Sequence, residues 1–308
     1  MVSRGRANTV SSRSEGVAAY SDRLTGPAFI EFMRERLVLL RELLSPHGSI
    51  YVHTDSKIGH YLKVAMDEIF GVENFRNDVS RVKCNPKNFS RKAFGNLKDV
   101  ILFYARDPIW NEHFIPFTEN EIHKLYPKID AAGRRYTTIP LHAPGETQKG
   151  KTSDTFQGLA PPPGRHWRSA PEILQDWNAQ GLIEWSASGN PRKIIYLDEK
   201  KGKKMQDVWE FKDPPHPVYP TEKNAQMLDL IIKTSSNPGS WVLDCFCGSG
   251  TTLAAAQRLG RRWIGIDSSK TAISAAQTKL ASISDGMFGA DYRYWIMGNP
   301  HEAAAQPN

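Results

Sequence analysis

Two aspartates and two glycines set the chemistry this chain can do. They lie in residues 242–269, VLDCFCGSGTTLAAAQRLGRRWIGIDSS. An apolar, β-branched run ends in Asp244, and a tight loop with Gly248 and Gly250 follows. Thr251 and Thr252 open an apolar-periodic helix that Gly260 ends, and a second short strand at 263–266 delivers Asp267. A strand–loop–helix–strand unit with an acid at the tip of each strand binds an adenosine-containing cofactor at the carboxyl edge of a parallel sheet.

The loop also narrows the choice of cofactor. Phosphate-binding loops carry a Lys after the glycine run, or a third Gly that brings a helix close to a pyrophosphate. Neither is present. Asp244 directs an anion into the mouth, which suits a cationic or amino-bearing ligand, and Asp267 stands where a carboxylate accepts ribose hydroxyls. S-adenosyl-L-methionine has a ribose, a sulfonium and an ammonium, and no phosphate. The competing reading is a plain βαβ unit whose glycines only supply positive φ at the turn; two acids at this spacing favour a ligand.

Other elements must hold this unit in place. Residues 27–44 put Ile30, Met33, Leu37, Leu40 and Leu44 on one face at helical spacing, and Pro46-His47-Gly48 ends that helix. A strand at 49–54 runs into Asp55, a helix at 57–70 is closed by Gly71, and a further strand covers 99–104. Past the middle of the chain, 224–235 reads as a helix with Met227, Leu228, Ile231 and Ile232 inward, and 269–283 as another. His53 alternates with Tyr51 and reads as a buried, hydrogen-bonded histidine, and Asp55 either borders the site or ends its strand in solvent.

Residues 107–207 change character. Pro and Gly become dense, and Tyr136, Trp167, Trp177, Trp185 and Tyr196 lie among Arg134, Arg135, Arg165, Arg168, Arg192 and Lys193. A helix is expected from Pro171 to Gln180, followed by a hairpin whose strands LIEW and RKIIYL flank SASGNP. The region reads as an insertion for target recognition, with basic groups for phosphates and aromatic rings for bases. The alternative is that its aromatics form a small core of their own.

DCFCGSGTT at 244–252, with YPTEKN at 219–224, resembles the amino-methyltransferases that modify adenine N6 or cytosine N4 in DNA. LLSPHGSIYVHTD at 43–55 and FGNLKDVILFYAR at 94–106 are similar to the catalytic half of the same family. The order of segments is similar to the β-class, as in the modification subunits of type III restriction systems, and the likeness runs from about Tyr20 to Leu280. It implies an α/β fold, a Rossmann-like S-adenosylmethionine-dependent methyltransferase sheet with an inserted target-recognition region. The implied division is an irregular leader at 1–19, a catalytic half at 20–106, the insertion at 107–207, a cofactor-binding half at 208–283 and a tail at 284–308. Cofactor contacts are implied for Asp244, Phe246, Gly248, Gly250, Thr251 and Asp267, with Phe246 covering the adenine ring or else packing the loop. Thr221 and Lys223 match the segment that closes over the cofactor; Thr221 with Asn224 is also a helix-capping pattern. The implied activity is methyl transfer to an exocyclic base amine, most readily adenine N6, within a restriction-modification system. The implied partners are double-stranded DNA and a restriction subunit or second methyltransferase chain, with no membrane. A DNA- or cofactor-binding fragment without catalysis, and a methyltransferase acting on RNA, are the alternatives.

In that family a tetrapeptide of Asp, Asn or Ser, then Pro-Pro, then an aromatic, receives the target amine. The β-class order places it before the 27–44 helix, yet residues 1–26 contain no Pro-Pro. The Asp213-Pro214-Pro215 triplet precedes His216 and reads as a rigid connector, with a displaced catalytic loop as the rival reading. No catalytic residue is therefore assigned. The family's strand before the tetrapeptide lies between the 241–244 and 49–54 strands. Its loss would leave buried backbone groups unpaired, at a cost. The expectation is that the chain is the C-terminal portion of a longer protein, or that another chain supplies the strand.

Composition agrees with these readings. The chain has 308 residues, 40% of them hydrophobic, enough for a real core. No apolar run approaches the roughly 20 residues needed to span a bilayer, and the basic, Ser-rich N-terminus lacks the apolar stretch of a secretory signal. A net charge of +7 suits a polyanionic partner. Cys84, Cys245 and Cys247 form no disulfide framework and have no ligand-spaced His beside them, so no metal is expected, and free thiols point to a reducing cytoplasmic setting.

Overall fold

Helix α1 (Pro27–Leu43) begins with Pro in its first turn, where a missing N–H costs nothing and φ is already helical. The structure is a computed structural model that describes residues 26–86, 92–147, 150–215, 222–283 and 292–297. Met33 and Leu37 are the buried positions of α1, one turn apart. The chain then enters strand β1 (Ser49–Asp55) and helix α2 (Gly59–Phe70). Asp55 Oδ1 accepts from the amides of Lys57 at 2.9 Å and Ile58 at 3.2 Å, so this carboxylate satisfies donors at the start of α2. Strands β2 (Phe75–Val82) and β3 (Lys98–Ala105) follow. Met33, Leu37, Leu62, Met66, Phe70, Leu102 and Tyr104 close one core between α1, α2 and β3.

The chain divides into two compact units, one formed by residues 1–113 and 206–308 and the other by 114–205. The second contains β4 (Phe114–Ile115), α3 (Glu119–Leu125), β5 (Lys128–Ile129), β6 (Arg135–Pro140), β7 (His142–Pro144), β8 (Arg165–Trp167), α4 (Pro171–Ala179), β9 (Ile183–Trp185), β10 (Pro191–Tyr196) and β11 (Lys203–Lys204). Its main sheet is antiparallel in the order β5-β6-β10-β9, with two-stranded pairs β7-β8 and β11-β4 beside it. Thr118 and Glu121 form a reciprocal capping box on α3. Leu141, Phe156, Trp167 and Leu174 make the core of this unit, with Trp177 and Ile183 packed against it. Trp167 and Trp177 thus serve the unit's own core, and Trp167, 1% exposed, has no face left for a base.

The first unit resumes with β12 (Val208–Trp209), α5 (Ala225–Ser235), β13 (Trp241–Asp244), α6 (Thr251–Arg258), β14 (Arg262–Gly265) and α7 (Lys270–Ile283). On α5 the buried apolar positions are Met227, Leu230 and Ile232, so Leu230 takes the place expected for Ile231. Asn224 is its cap, its side chain accepting from Met227 N at 3.1 Å.

The single sheet that the family resemblance implies is present as two. One runs β1-β3-β2-β12, with β12 parallel to β2 and the other pairs antiparallel. The other is the parallel pair β13-β14. Among the described residues β1 pairs only with β3 and β13 only with β14, so each keeps a free edge. α5 and its C-terminal turn link the halves: Tyr51 Oη lies 2.6 Å from Ser235 Oγ, and Asn111 Nδ2 donates to the backbone carbonyls of Lys233 and Ser236. α5, α6, β13 and β14 share an apolar cluster of Ile232, Ala255, Ala256, Val242 and Trp263. The opposite face of β13-β14 exposes Trp241, Leu243, Ile264 and, just past the strand, Ile266.

Candidate functional site

The parallel pair β13-β14 brings Asp244 and Asp267 to one end, because both strands point the same way and each acid follows its last residues. Asp267 Oδ2 accepts from Gly248 N at 2.9 Å and its Oδ1 from Ser269 N at 2.8 Å. Asp244 Oδ1 accepts from Phe246 N at 3.1 Å. Both carboxylates are therefore held by backbone amides, those of the glycine loop and, for Asp267, also that of Ser269 before α7, and each oxygen keeps a lone pair for a further donor.

Gly250 sits at φ +73°, in the left-handed region, at the N-cap of α6. A Cβ there would stand 2.8 Å from Ala276 Cβ, so α7 passes the loop at a distance only glycine permits. Gly248 also has positive φ, at 51°. Phe246 is 49% exposed, with its ring centroid 6.1 Å from that of Phe32 on α1. This leaves an aromatic face at the mouth of the loop. Thr251 turns the other way: it is 8% exposed, and its Oγ1 accepts from Lys279 Nζ at 2.8 Å.

Lys279 is a residue that the motif does not announce. Its Nζ also donates to Ser249 Oγ at 3.2 Å and pairs with Glu222 Oε1. The ammonium that reaches the loop's hydroxyls is thus absorbed by Glu222, Ser249 and Thr251. Two carboxylates at the mouth of the loop suit a ligand with an amine and a sugar.

Lys223, next in the chain to Glu222, belongs to a second cluster. Burial lowers its amine below the ordinary range, Asp99 and Asp213 oppose that shift, and Arg81 and Lys83 add to it. At the centre of this cluster is Asp99, 6% exposed. His53 Nε2 lies 3.2 Å from Asp99 Oδ2, and Lys83 Nζ donates to Oδ1 at 2.7 Å. Burial alone would raise the Asp99 carboxyl, but the His53 and Lys83 hydrogen bonds and the Lys83 charge outweigh it and hold it well below the usual carboxylate range. Burial keeps His53 below its ordinary value, Asp99 partly offsets this, and Lys223 and Arg81 push it further down. Arg81, fully buried, donates from Nε to Phe211 O at 2.7 Å and from Nη2 to Asp213 Oδ1 at 2.6 Å.

That last contact bears on the Asp-Pro-Pro triplet. Asp213 is committed to a buried guanidinium and anchors the strand leaving the 114–205 unit, as a connector would. His216 and Thr221 lie outside the described residues. The expected residues Asp244, Phe246, Gly248, Gly250 and Asp267 gather around one loop, while Lys223 sits in the His53–Asp99–Arg81 cluster. Arg81, and Lys83 just past its strand, are not apparent in the sequence because that strand, FRNDVSRV, shows no clear apolar alternation. Lys279 is not apparent because a Lys late in an amphipathic helix looks like a solvated surface residue.

The two loop thiols carry no charge in this setting: burial, then the Asp244 and Asp267 carboxylates, pushes Cys247 up to about 12, and burial raises Cys245 as well. Among the described residues no cluster of three or more His, Cys, Asp or Glu is placed to hold a metal ion. Nor is any described helix long and apolar enough to cross a membrane.

A family model described as DNA methylase matches residues 12–278. The type II methyltransferase M.EcaI of Enterobacter cloacae is 45% identical over 271 residues, covering 85% of this chain and 60% of that protein. The Mod subunit of the type III restriction-modification enzyme StyLTI of Salmonella typhimurium is 28% identical over 262 residues, covering 76% of this chain and 39% of its own length. The chain thus spans less than two thirds of either relative. Among solved structures, the M1.HpyAVI–SAM complex is similar with a TM-score of 0.41 at 17% identity, covering 80% of this chain and 82% of that one.

Proposed function

With residues 12–278 matched, the chain belongs to the DNA methylase family, and we propose on that footing that it is a restriction-modification methyltransferase that moves a methyl group from S-adenosylmethionine to an exocyclic amine of DNA, adenine N6. The observation that carries this reading is the fastening of Asp267 to the Gly248 amide beside Asp244 at the mouth of the glycine loop. Asp267 would take the ribose hydroxyls, Asp244 the amino-bearing end and Phe246 the adenine ring. Gly248 and Gly250 shape the loop. Thr251 and Glu222 act through Lys279 to hold the loop's form, and Lys223 follows Glu222 in the chain.

The donor, when bound, supplies a methyl already activated by a positive sulfur. What the chain must add is alignment of the incoming nitrogen and a polar group to stabilise it as it gains charge. Among the described residues no side chain is assigned that acceptor role, and Asp213 is held by Arg81. The free edges of β1 and β13 are the place where the family's tetrapeptide strand would pair, contributed by a segment outside the described residues or by another chain.

The test is methyl transfer from labelled donor to duplex DNA by the purified chain, followed by digestion to nucleosides and mass spectrometry. N6-methyladenine is the expected product; N4-methylcytosine would keep the reading and move the target. The commitment of Asp213 to Arg81 favours one second reading, a chain that binds donor and DNA but needs a partner for transfer. Donor binding without transfer, with transfer restored by a partner methyltransferase chain, would establish it. Absence of donor binding would remove both.

A further inference from the structure

Several basic side chains of the 114–205 unit are paired with carboxylates. Arg134 donates to both oxygens of Asp198 and reaches Glu199, Lys128 pairs with Glu184, Lys151 with Glu172, and Lys203 with Glu121. In these the positive charge is neutralised inside the protein.

Arg165, Arg168 and Arg192 are different. Each guanidinium is fixed by a neutral acceptor. Arg192 donates from Nε to Thr138 Oγ1 at 2.8 Å and from Nη2 to Thr138 O at 2.7 Å. Arg168 donates from Nε to Pro140 O at 3.1 Å. Arg165 Nη1 lies 3.2 Å from His142 Nδ1, and since arginine can only donate, the histidine accepts. None of the three has a carboxylate within ion-pair distance among the described residues. Glu184, opposite Arg192 in the β9-β10 register, already accepts from Lys128 and from Tyr136 at 2.9 Å. The three meet along one stretch of chain: Arg192 pairs with Pro140 in the β6-β10 register, Arg168 donates to the Pro140 carbonyl, and His142, two residues on, accepts from Arg165; burial first, then these three charges, lowers the His142 pKa.

Three guanidiniums oriented through carbonyls, a hydroxyl and an imidazole keep their full charge while losing side-chain freedom before any ligand arrives. Arginine's planar fork matches phosphate oxygens, and ordering it in advance lowers the cost of binding. Resting on the reading of the chain as a DNA methyltransferase, we propose that Arg165, Arg168 and Arg192 around His142 form a phosphodiester-binding face that holds the backbone of duplex DNA. The Arg134 end of the same unit, where the guanidinium lies over the Tyr196 ring, is a structural clasp and carries no phosphate.

The experiment is a salt titration of the full chain on a mixed-sequence duplex oligonucleotide, read by fluorescence anisotropy between about 50 and 200 mM salt. Each phosphate contact contributes about 0.9 to the slope of log affinity against log salt. Arg165→Gln/Arg168→Gln should therefore lower that slope by about 1.8. Arg165→Lys/Arg168→Lys, which keeps the charges, should retain it, as should Arg134→Gln. Thermal melting and donor calorimetry on the same variants show that each is folded. An unchanged slope in the double Gln variant, or an equal loss in Arg134→Gln, overturns the face while leaving the methyltransferase reading intact. A wild-type chain that binds duplex DNA without salt dependence, or not at all, removes both. Tighter binding to a single-stranded RNA of the same sequence, lost in the same variants, overturns the assignment to duplex DNA.

Discussion

Glu222 and Lys279 form an ion pair that fastens the segment before α5 to the glycine loop, because the same ammonium also reaches Ser249 and Thr251. The side chains are 13% and 21% exposed, which places the pair between the surface and buried cases. Surface pairs contribute about 0–1 kcal/mol and loss of one partner of a buried pair costs about 3–5 kcal/mol. Lys279→Met should cost about 2 kcal/mol in urea unfolding and weaken S-adenosylmethionine binding in calorimetry. A double-mutant cycle with Glu222→Gln should show a coupling of about 1 kcal/mol. Independent, additive effects would show that the pair does not hold the loop.

Gly250 answers to two constraints that can be separated. Its positive φ costs a side-chain-bearing residue about 1–2 kcal/mol. The closeness of Ala276 adds a steric penalty, since the new Cβ would stand 2.8 Å from Ala276 Cβ. Gly260 has a similar φ of +70° and nothing within 4 Å of where a Cβ would stand, so it isolates the first constraint. Gly250→Ala should therefore destabilise the chain more than Gly260→Ala, and Gly250→Ala, introduced beside Ala276→Gly, should cost less than it does in the wild-type chain but still more than Gly260→Ala, because the Ala276 Cα also stands 3.1 Å from the new Cβ. Denaturant midpoints of the four proteins decide this; equal losses at both glycines would mean that α7 yields.

The contrast between elements shows what a sequence can reveal. α1, α2, α5 and α7 were legible because apolar residues recur at helical spacing, and the Asp244–Asp267 unit because glycine and acid types are restricted at a cofactor turn. β2 was not legible: Arg76, Asn77 and Asp78 are its most exposed positions, and inward Arg81 stands where a strand pattern calls for an apolar side chain. That arginine is tolerated because Phe211, Asp213 and Asp99 surround it, residues far away in the sequence. β12 was missed for a related reason: VWEFK reads as interrupted by charge, yet two residues suffice to pair with β2. Lys279 and the His53–Asp99 contact are likewise long-range, and no local pattern encodes them.

Asp267 has a demand on each oxygen, from Gly248 N of the glycine loop and from Ser269 N just before α7. Asp267→Asn keeps one acceptor and turns an NH2 group against one of those amides. Charge-assisted hydrogen bonds are each worth about 1.5–3 kcal/mol. Donor affinity should fall by roughly 10- to 100-fold in calorimetry. Binding of duplex DNA by the Arg165 face should be untouched. A variant that keeps wild-type donor affinity would place the ribose elsewhere.

His53 predicts the response to acid. Its folded-state pKa is lowered, first by burial and then by Lys223 and Arg81, against the opposing hydrogen bond to Asp99. The unfolded chain therefore takes up this proton first as pH falls through about 6.5, the ordinary histidine value. The stability contributed by neutral His53 is complete above about pH 6.5 and is lost as pH drops toward its folded pKa. Asp99, held far below the usual range, stays ionised through that window and does not reverse the sign. His142, also depressed mainly by burial, acts in the same direction. The melting temperature should decline on going from about pH 7 to 5. His53→Gln, which keeps a donor for Asp99 but cannot be protonated, should remove part of that decline, and adding His142→Gln should remove more. A melting temperature that rises toward acid, or a double variant with the wild-type slope, would show that neither histidine is held neutral by its surroundings.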